Sequence, residues 1–219
     1  MENKKAIIFD FDGTLSDTVG AIAEAINLTM LRLGFNIKTQ DEVLRAIGNG
    51  ATIMIRRLIP ENVSGDTEFV AYARSVYDEM YAKTYLHTVD TYEGIIPMLA
   101  SLHNDKGMKI AVFSNKQDPY VKGLCDQLFS KDIISYALGQ TELPIKPDPS
   151  GVFRILDALE VTAEECVFVG DSEVDYHTAK NAGIDFIGVT WGYAGRDRLI
   201  ACGSEHLADK AEEILEIIK

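Results

Sequence analysis

Four short runs carry apolar residues at almost every position: Ala6-Ile7-Ile8-Phe9, Lys109-Ile110-Ala111-Val112-Phe113, Cys166-Val167-Phe168-Val169 and Phe186-Ile187-Gly188-Val189. Runs this short, apolar on both faces, suit interior strands of a parallel sheet. A weaker strand candidate spans Ile133 to Leu138. Helical patterns separate these runs, as right-handed crossovers in an α/β fold require. Three of the runs end directly in polar residues: Asp10, Ser114-Asn115 and Gly170-Asp171. In such sheets functional groups gather at the carboxyl ends of the strands.

The interval between the first two runs is far longer than one crossover. Val19, Ile22, Ile26, Met30 and Leu33 recur at three- and four-residue steps, and Gly34 is placed to end that helix. Thr39 with Glu42 makes a capping box for a second helix. Gly48-Asn49-Gly50 breaks the chain before a third, Ala51 to Ile59, which Pro60 closes; Phe69, Ala73, Val76 and Met80 mark a fourth. The pattern predicts a helical insertion over residues 17–87, which leaves 1–16 and 88–219 as a discontinuous core. Later helices are expected near Gly94 to His103, Pro119 to Phe129, Pro149 to Leu159, Ser172 to Ala182 and Lys210 to Ile218.

Composition narrows the functions open to such a fold. Among 219 residues, 34 are Asp or Glu and 21 are Lys or Arg, a formal net charge of -13. A surface of that sign repels nucleic acid and anionic lipid, so neither is an expected partner. The apolar run after Lys4-Lys5 stops at Asp10, too short for a signal peptide, and no run reaches the roughly 18 apolar residues of a membrane span. Cys125, Cys166 and Cys202 fit neither zinc spacing nor a disulfide framework. Reduced thiols in a cytoplasmic protein are the expectation.

Four segments carry candidate chemistry. In Asp10-Phe11-Asp12-Gly13-Thr14, two carboxylates leave a strand into a glycine turn and repel each other unless a cation, a shared proton or hydrogen bonds intervene. With a divalent metal, Asp10 can act as an ionised nucleophile and Asp12 as a general acid; the alternative is an Asp-Gly turn that Asp12 caps. Ser114-Asn115 can cradle phosphate or simply turn the chain. Lys146, held before Pro147-Asp148-Pro149, can neutralise phosphate or lie solvated on the surface, and Pro149 suits the first turn of the next helix. Asp171 follows a strand as a hard oxygen ligand, sufficient with Asp10 for Mg²⁺, and Asp175 faces the same way one turn on. Ser172 capping the helix, with Asp175 favouring its positive end, is the alternative there.

In this order the four segments resemble the haloacid dehalogenase superfamily. That resemblance implies an α/β fold, a Rossmann-like core with a parallel sheet and an inserted α-helical cap of the first subclass. It implies Asp10 as the nucleophile that forms an aspartyl-phosphate and Asp12 as general acid/base, with a backbone carbonyl offered to Mg²⁺. Ser114, Asn115 and Lys146 match phosphate-binding positions, Asp171 the acidic metal ligand, and Asp175 a residue just behind the ligands. Because Asp12 is present, the chain is similar to the phosphate-cleaving branch. Ile47 to Ala51, Tyr92 to Gly94, Ser114 to Lys116 and Thr190 to Tyr193 look most like phosphoglycolate phosphatases. The implied substrate is therefore a small phosphorylated metabolite. Gly48, Asn49, Gly50, Arg57 and Lys116 are candidate substrate or cap contacts, although surface charge also accounts for Arg57. A phosphosugar mutase, a pyrophosphatase or nucleotidase, and a non-catalytic binding or signalling protein are the competing readings. A phosphonatase would need a reactive cap lysine, and Gly48 to Ile59 holds none. A monomer or a homodimer is expected.

Overall fold

Strand β1 (Ala6–Phe9) is fully buried in the middle of a six-stranded parallel sheet. The computed structural model describes all 219 residues, Met1–Lys219. The chain divides into two compact units, one of Met1–Asp17 with Thr91–Lys219 and the other of Thr18–Asp90.

Along the chain β1 is followed by β2 (Ser16–Asp17), β3 (Asp90–Thr91), β4 (Lys109–Gln117), β5 (Ile134–Gln140), β6 (Cys166–Gly170), β7 (Asp185–Val189) and β8 (Leu207–Ala208), all in the first unit except Asp90. The sheet order is β5-β4-β1-β6-β7-β8, and β2 pairs with β3 as a separate ribbon. From β1 the path runs outward through β4 and β5, then returns to β6 on the opposite side. Helices α6 (Ile95–Asn104), α7 (Asp118–Leu128), α8 (Ser150–Leu159), α9 (Glu173–Ala182), α10 (Arg196–Cys202) and α11 (Ala211–Ile217) link or follow the strands. One core cluster joins Ala6, Ile8, Ala111, Phe113 and Phe168 of the central strands to Val152, Ile155, Leu156 and Leu159 of α8 and to Ala179 and Ala182 of α9. Each large apolar side chain so buried contributes roughly 1.5–3 kcal/mol, which makes the central strands the firmest support for a site at their ends.

The second unit holds α1 (Val19–Arg32), α2 (Gln40–Ala46), α3 (Ala51–Leu58), α4 (Glu61–Ser64) and α5 (Thr67–Thr84). The capping box at α2 is present, with Glu42 N donating to Thr39 Oγ1 at 3.2 Å and Thr39 N donating to Glu42 Oε2 at 2.8 Å. Asp66 caps α5 through the amides of Glu68 and Phe69. Tyr77 and Tyr81 on α5 are buried and stack at 5.4 Å, with Tyr85 tilted onto Tyr81. That series is packing.

Several boundaries differ from the sequence pattern by a residue or two, and α10 was not expected from it; two of the shifts have a visible cause. β4 does not stop at Phe113 but runs to Gln117, because Gln117 pairs with Gln140 of β5 beyond an irregularity in the register. Pro149 precedes α8 as its N-cap instead of entering the first turn; Asp148 Oδ1 accepts from both Ser150 N and Ser150 Oγ, and the helix starts there. No helix is long and apolar enough to cross a membrane.

Candidate active site

β1, β4 and β6 are neighbours, and their register decides what meets beyond them. Phe9 pairs with Val112 on one side and Val169 on the other, and the Asp10 amide donates to the Val169 carbonyl at 2.9 Å. Ser114 and Asp171 each lie two residues past those partners. Asp10, Ser114 and Asp171 therefore emerge together at the carboxyl edge, where the chain path reverses across the sheet, and all three are buried.

Lys146 reaches the same point from the turn before α8. It is only 3% exposed, which excludes the solvated-surface reading. Its Nζ lies 2.9 Å from Asp10 Oδ1 and 2.7 Å from Asp175 Oδ1, and over the Phe113 and Phe168 rings at 5.6 and 5.5 Å. Burial alone would lower its pKa, but the two carboxylates outweigh it and raise it above the usual lysine value. Asn115 anchors the lysine's main chain: Lys146 N donates to Asn115 Oδ1 at 2.8 Å, and Asn115 Nδ2 donates to Lys146 O at 3.2 Å. The sequence grouped Asn115 with the phosphate binders; its amide is engaged by the Lys146 backbone.

Asp175 combines both roles that its spacing allowed. Its Oδ2 accepts from Ser172 Oγ at 2.6 Å and Ser172 N at 3.1 Å in a capping box, while Oδ1 holds Lys146. Gly170 makes that approach possible, since a Cβ there would lie 2.4 Å from Asp175 Cβ.

Asp171 is set by a loop that sequence reasoning noticed only as a resemblance. Tyr193 N donates to Asp171 Oδ2 at 2.7 Å, Thr14 Oγ1 to Asp171 Oδ1 at 3.3 Å, and Trp191 Nε1 to the Thr14 carbonyl at 3.0 Å. No spacing rule exposes this, because the key donor is a backbone amide. Burial, then Asp175 and Asp10, push the Asp171 carboxyl well up. Asp10 is also raised, to about 7, by burial and by Asp175 and Asp12, against the downward pull of Lys146.

Asp12 meets a different lysine. Its Oδ1 lies 3.0 Å from Lys116 Nζ, and that lysine side chain is 6% exposed. Gly48, Asn49, Gly50 and Arg57 belong to the second unit. Gly48 and Gly50 have φ of 110° and 78° ahead of α3. Arg57 donates to Ala46 O at 3.1 Å and Asn49 Oδ1 at 2.9 Å, bracing that turn from within the insertion.

A profile of the haloacid dehalogenase-like hydrolases matches residues 7–189, which takes in Asp10, Asp12, Ser114, Lys116, Lys146, Asp171 and Asp175. The chain belongs to that family.

Among haloacid dehalogenase-like hydrolases it is 31% identical over 219 residues to a phosphoglycolate phosphatase of Vibrio parahaemolyticus, covering 98% of this chain and 96% of that one. It is 32% identical to a phosphoglycolate phosphatase of Pseudomonas putida over 86% of this chain and 70% of that one. A crystal structure from Lactobacillus delbrueckii subsp. bulgaricus, provisionally named a phosphoglycolate phosphatase, superposes with a TM-score of 0.91 at 29% identity, covering 98% of each chain.

Family members of this kind imply a divalent metal, and the donor set here fits one. Oxygens of Asp10, Asp171 and Asp175 lie within 4.8 Å of one another, all buried. Lys146 is the one ammonium on this trio, which leaves two formal negative charges for a bound cation or for protons to offset. Hard carboxylate oxygens in that number suit Mg²⁺ or a similar ion. Asp175 is already held at both oxygens, by Lys146 and Ser172, and Asp171 at both of its own, by Thr14 and Tyr193.

Proposed function

We propose that this hydrolase is a metal-dependent phosphatase that cleaves a small phosphomonoester, phosphoglycolate, through an aspartyl-phosphate on Asp10. The observation that carries the reading is the pair of carboxylates at the end of β1, each with its own buried lysine: Asp10 with Lys146, and Asp12 with Lys116. One carboxylate attacks and the other handles a proton, as an ester with a poor leaving group demands.

Asp10 attacks phosphorus, and the bond to the ester oxygen breaks. Asp12 donates its proton to the departing alkoxide, so glycolate leaves as the free alcohol. Asp12 then takes a proton from water, the water oxygen bonds to phosphorus, and the bond to Asp10 breaks to give inorganic phosphate. Lys146 and the Ser114 hydroxyl bind the equatorial oxygens during both displacements. Asn115 supports this by fixing the Lys146 main chain. Asp171 with Asp10, and the Asp12 carbonyl, would hold Mg²⁺; when bound, the ion supplies positive charge beside the transferring phosphoryl group. Asp175 orients Lys146 from behind. Gly48, Asn49, Gly50 and Arg57 are proposed to serve substrate selection, in a cytoplasmic monomer or homodimer.

The substrate names of the relatives support phosphoglycolate, and the intact carboxylate pair supports phosphate ester cleavage. A panel of small phosphate esters assayed with Mg²⁺ and with chelator tests it. Phosphate release from phosphoglycolate that chelator abolishes is expected. No release from any ester in Mg²⁺ would contradict it.

A further inference from the structure

Lys116 takes no part in the displacements above, yet its side chain is the second lysine side chain at the site almost withdrawn from solvent, at 6% exposed. Strand β4 carries it two residues beyond Ser114, and its amide donates to Ser114 Oγ at 3.3 Å. The strand is backed closely at this point, since a Cβ on Gly139 of β5 would lie 2.5 Å from the Lys116 carbonyl oxygen. The ammonium thus extends from a rigid platform to Asp12 Oδ1 at 3.0 Å. Taking a lysine out of water costs several kcal/mol and is seldom repaid in stability by one carboxylate. The two buried lysines also divide the carboxylates: Lys146 takes Asp10 and Asp175, and Lys116 takes Asp12.

We infer that Lys116 is a positioning residue, which fixes the Asp12 carboxyl on the leaving-group side of the site. The inference rests on the reading of Asp12 as the acid/base. Proton transfer needs heavy-atom separations of roughly 2.6–3.2 Å, and a 1 Å misplacement can cost about 100-fold.

The test compares the full-length wild type with Lys116→Met, Lys116→Arg and Asp12→Asn in Mg²⁺. Three esters are used: phosphoglycolate, ethyl phosphate and p-nitrophenyl phosphate. The readout is kcat/KM, which runs only through the first chemical step. Nitrophenolate leaves without a proton, so that ester is blind to Asp12 as an acid. Lys116→Met should lower kcat/KM for ethyl phosphate and phosphoglycolate alike by roughly 10- to 100-fold, and for p-nitrophenyl phosphate by less than about threefold. Lys116→Arg should recover most of the loss, and adding Lys116→Met to Asp12→Asn should cost nothing more. Should Lys116→Met fold poorly, Lys116→Gln, which keeps a donor, is held to the same pattern. Equal losses on all three esters would overturn the inference, as would a loss confined to phosphoglycolate, which would make Lys116 a contact to the substrate carboxylate. Unchanged Lys116→Met beside an impaired Asp12→Asn would overturn it alone. Full ethyl phosphate turnover by Asp12→Asn would remove the acid/base reading itself.

Discussion

Lys146 Nζ lies 2.7 Å from Asp175 Oδ1, and the two side chains are 3% and 1% exposed. Removing one partner of a buried pair leaves an uncompensated charge, and here Lys146 also offsets Asp10. Lys146→Met should therefore destabilise the metal-free protein by about 3–5 kcal/mol in urea unfolding. An unchanged midpoint would mean that the ammonium contributes nothing to holding the carboxylates together.

Gly192 lies against the Asp171 side chain. A Cβ there would lie 2.2 Å from Asp171 Cβ and 2.4 Å from the Gly13 carbonyl oxygen, so Asp171 must move to admit it. Gly192→Ala should cost about 1–3 kcal/mol of stability and weaken Mg²⁺ binding, read by calorimetry and by the Mg²⁺-dependent rise in Tm. Gly65→Ala, with open space around its Cβ, is the control and should change neither. Equal Mg²⁺ affinity in all three proteins would detach the loop from the metal site.

Asp118 gives a pH signature outside the site. Burial would raise its carboxyl, but the Gly139 amide at 3.0 Å and Lys122 at 2.7 Å outweigh that and hold it below the usual carboxylate range. A folded pKa below the unfolded value stabilises fully above the unfolded pKa, near 3.9, and that gain fades as pH falls through the folded value. The stability advantage of wild type over Asp118→Asn should thus be full at pH 6 and shrink below about pH 4. A gap that widened in acid would reverse the assignment.

The thiols should divide by burial. Desolvation pushes Cys125 and Cys166 up to about 12, and both are buried, whereas Cys202 is half-buried. At pH 8 a disulfide reagent should label at most Cys202 in the native protein and all three cysteines in guanidinium. Rapid native labelling of Cys125 would show that α7 opens readily.

The parts of this fold that were legible in the sequence are those in which one strand or helix carries its own signal. The runs at Ala6, Lys109, Cys166 and Phe186 are apolar on both faces because helices cover both sides, and the Thr39 capping box stands out because its partners are three residues apart. β2, β3 and β8 are two residues long and α4 only four, too short for any period. The carboxylates Asp10 and Asp171 were visible because polar residues directly follow buried strands. Lys116 and Lys146 were not distinguishable from surface lysines, since their burial depends on partners far off in the chain. Asp175 looked like either a cap or a site residue, and its two oxygens serve both.

The most direct test of the central claim is rapid acid quenching during turnover of ³²P-labelled phosphoglycolate in Mg²⁺. The account predicts transient label on the protein, released by hydroxylamine, mapping to Asp10 and absent in Asp10→Asn, which should also lose turnover. Phosphate release with no labelled protein at any time, or sustained turnover by Asp10→Asn, would contradict it.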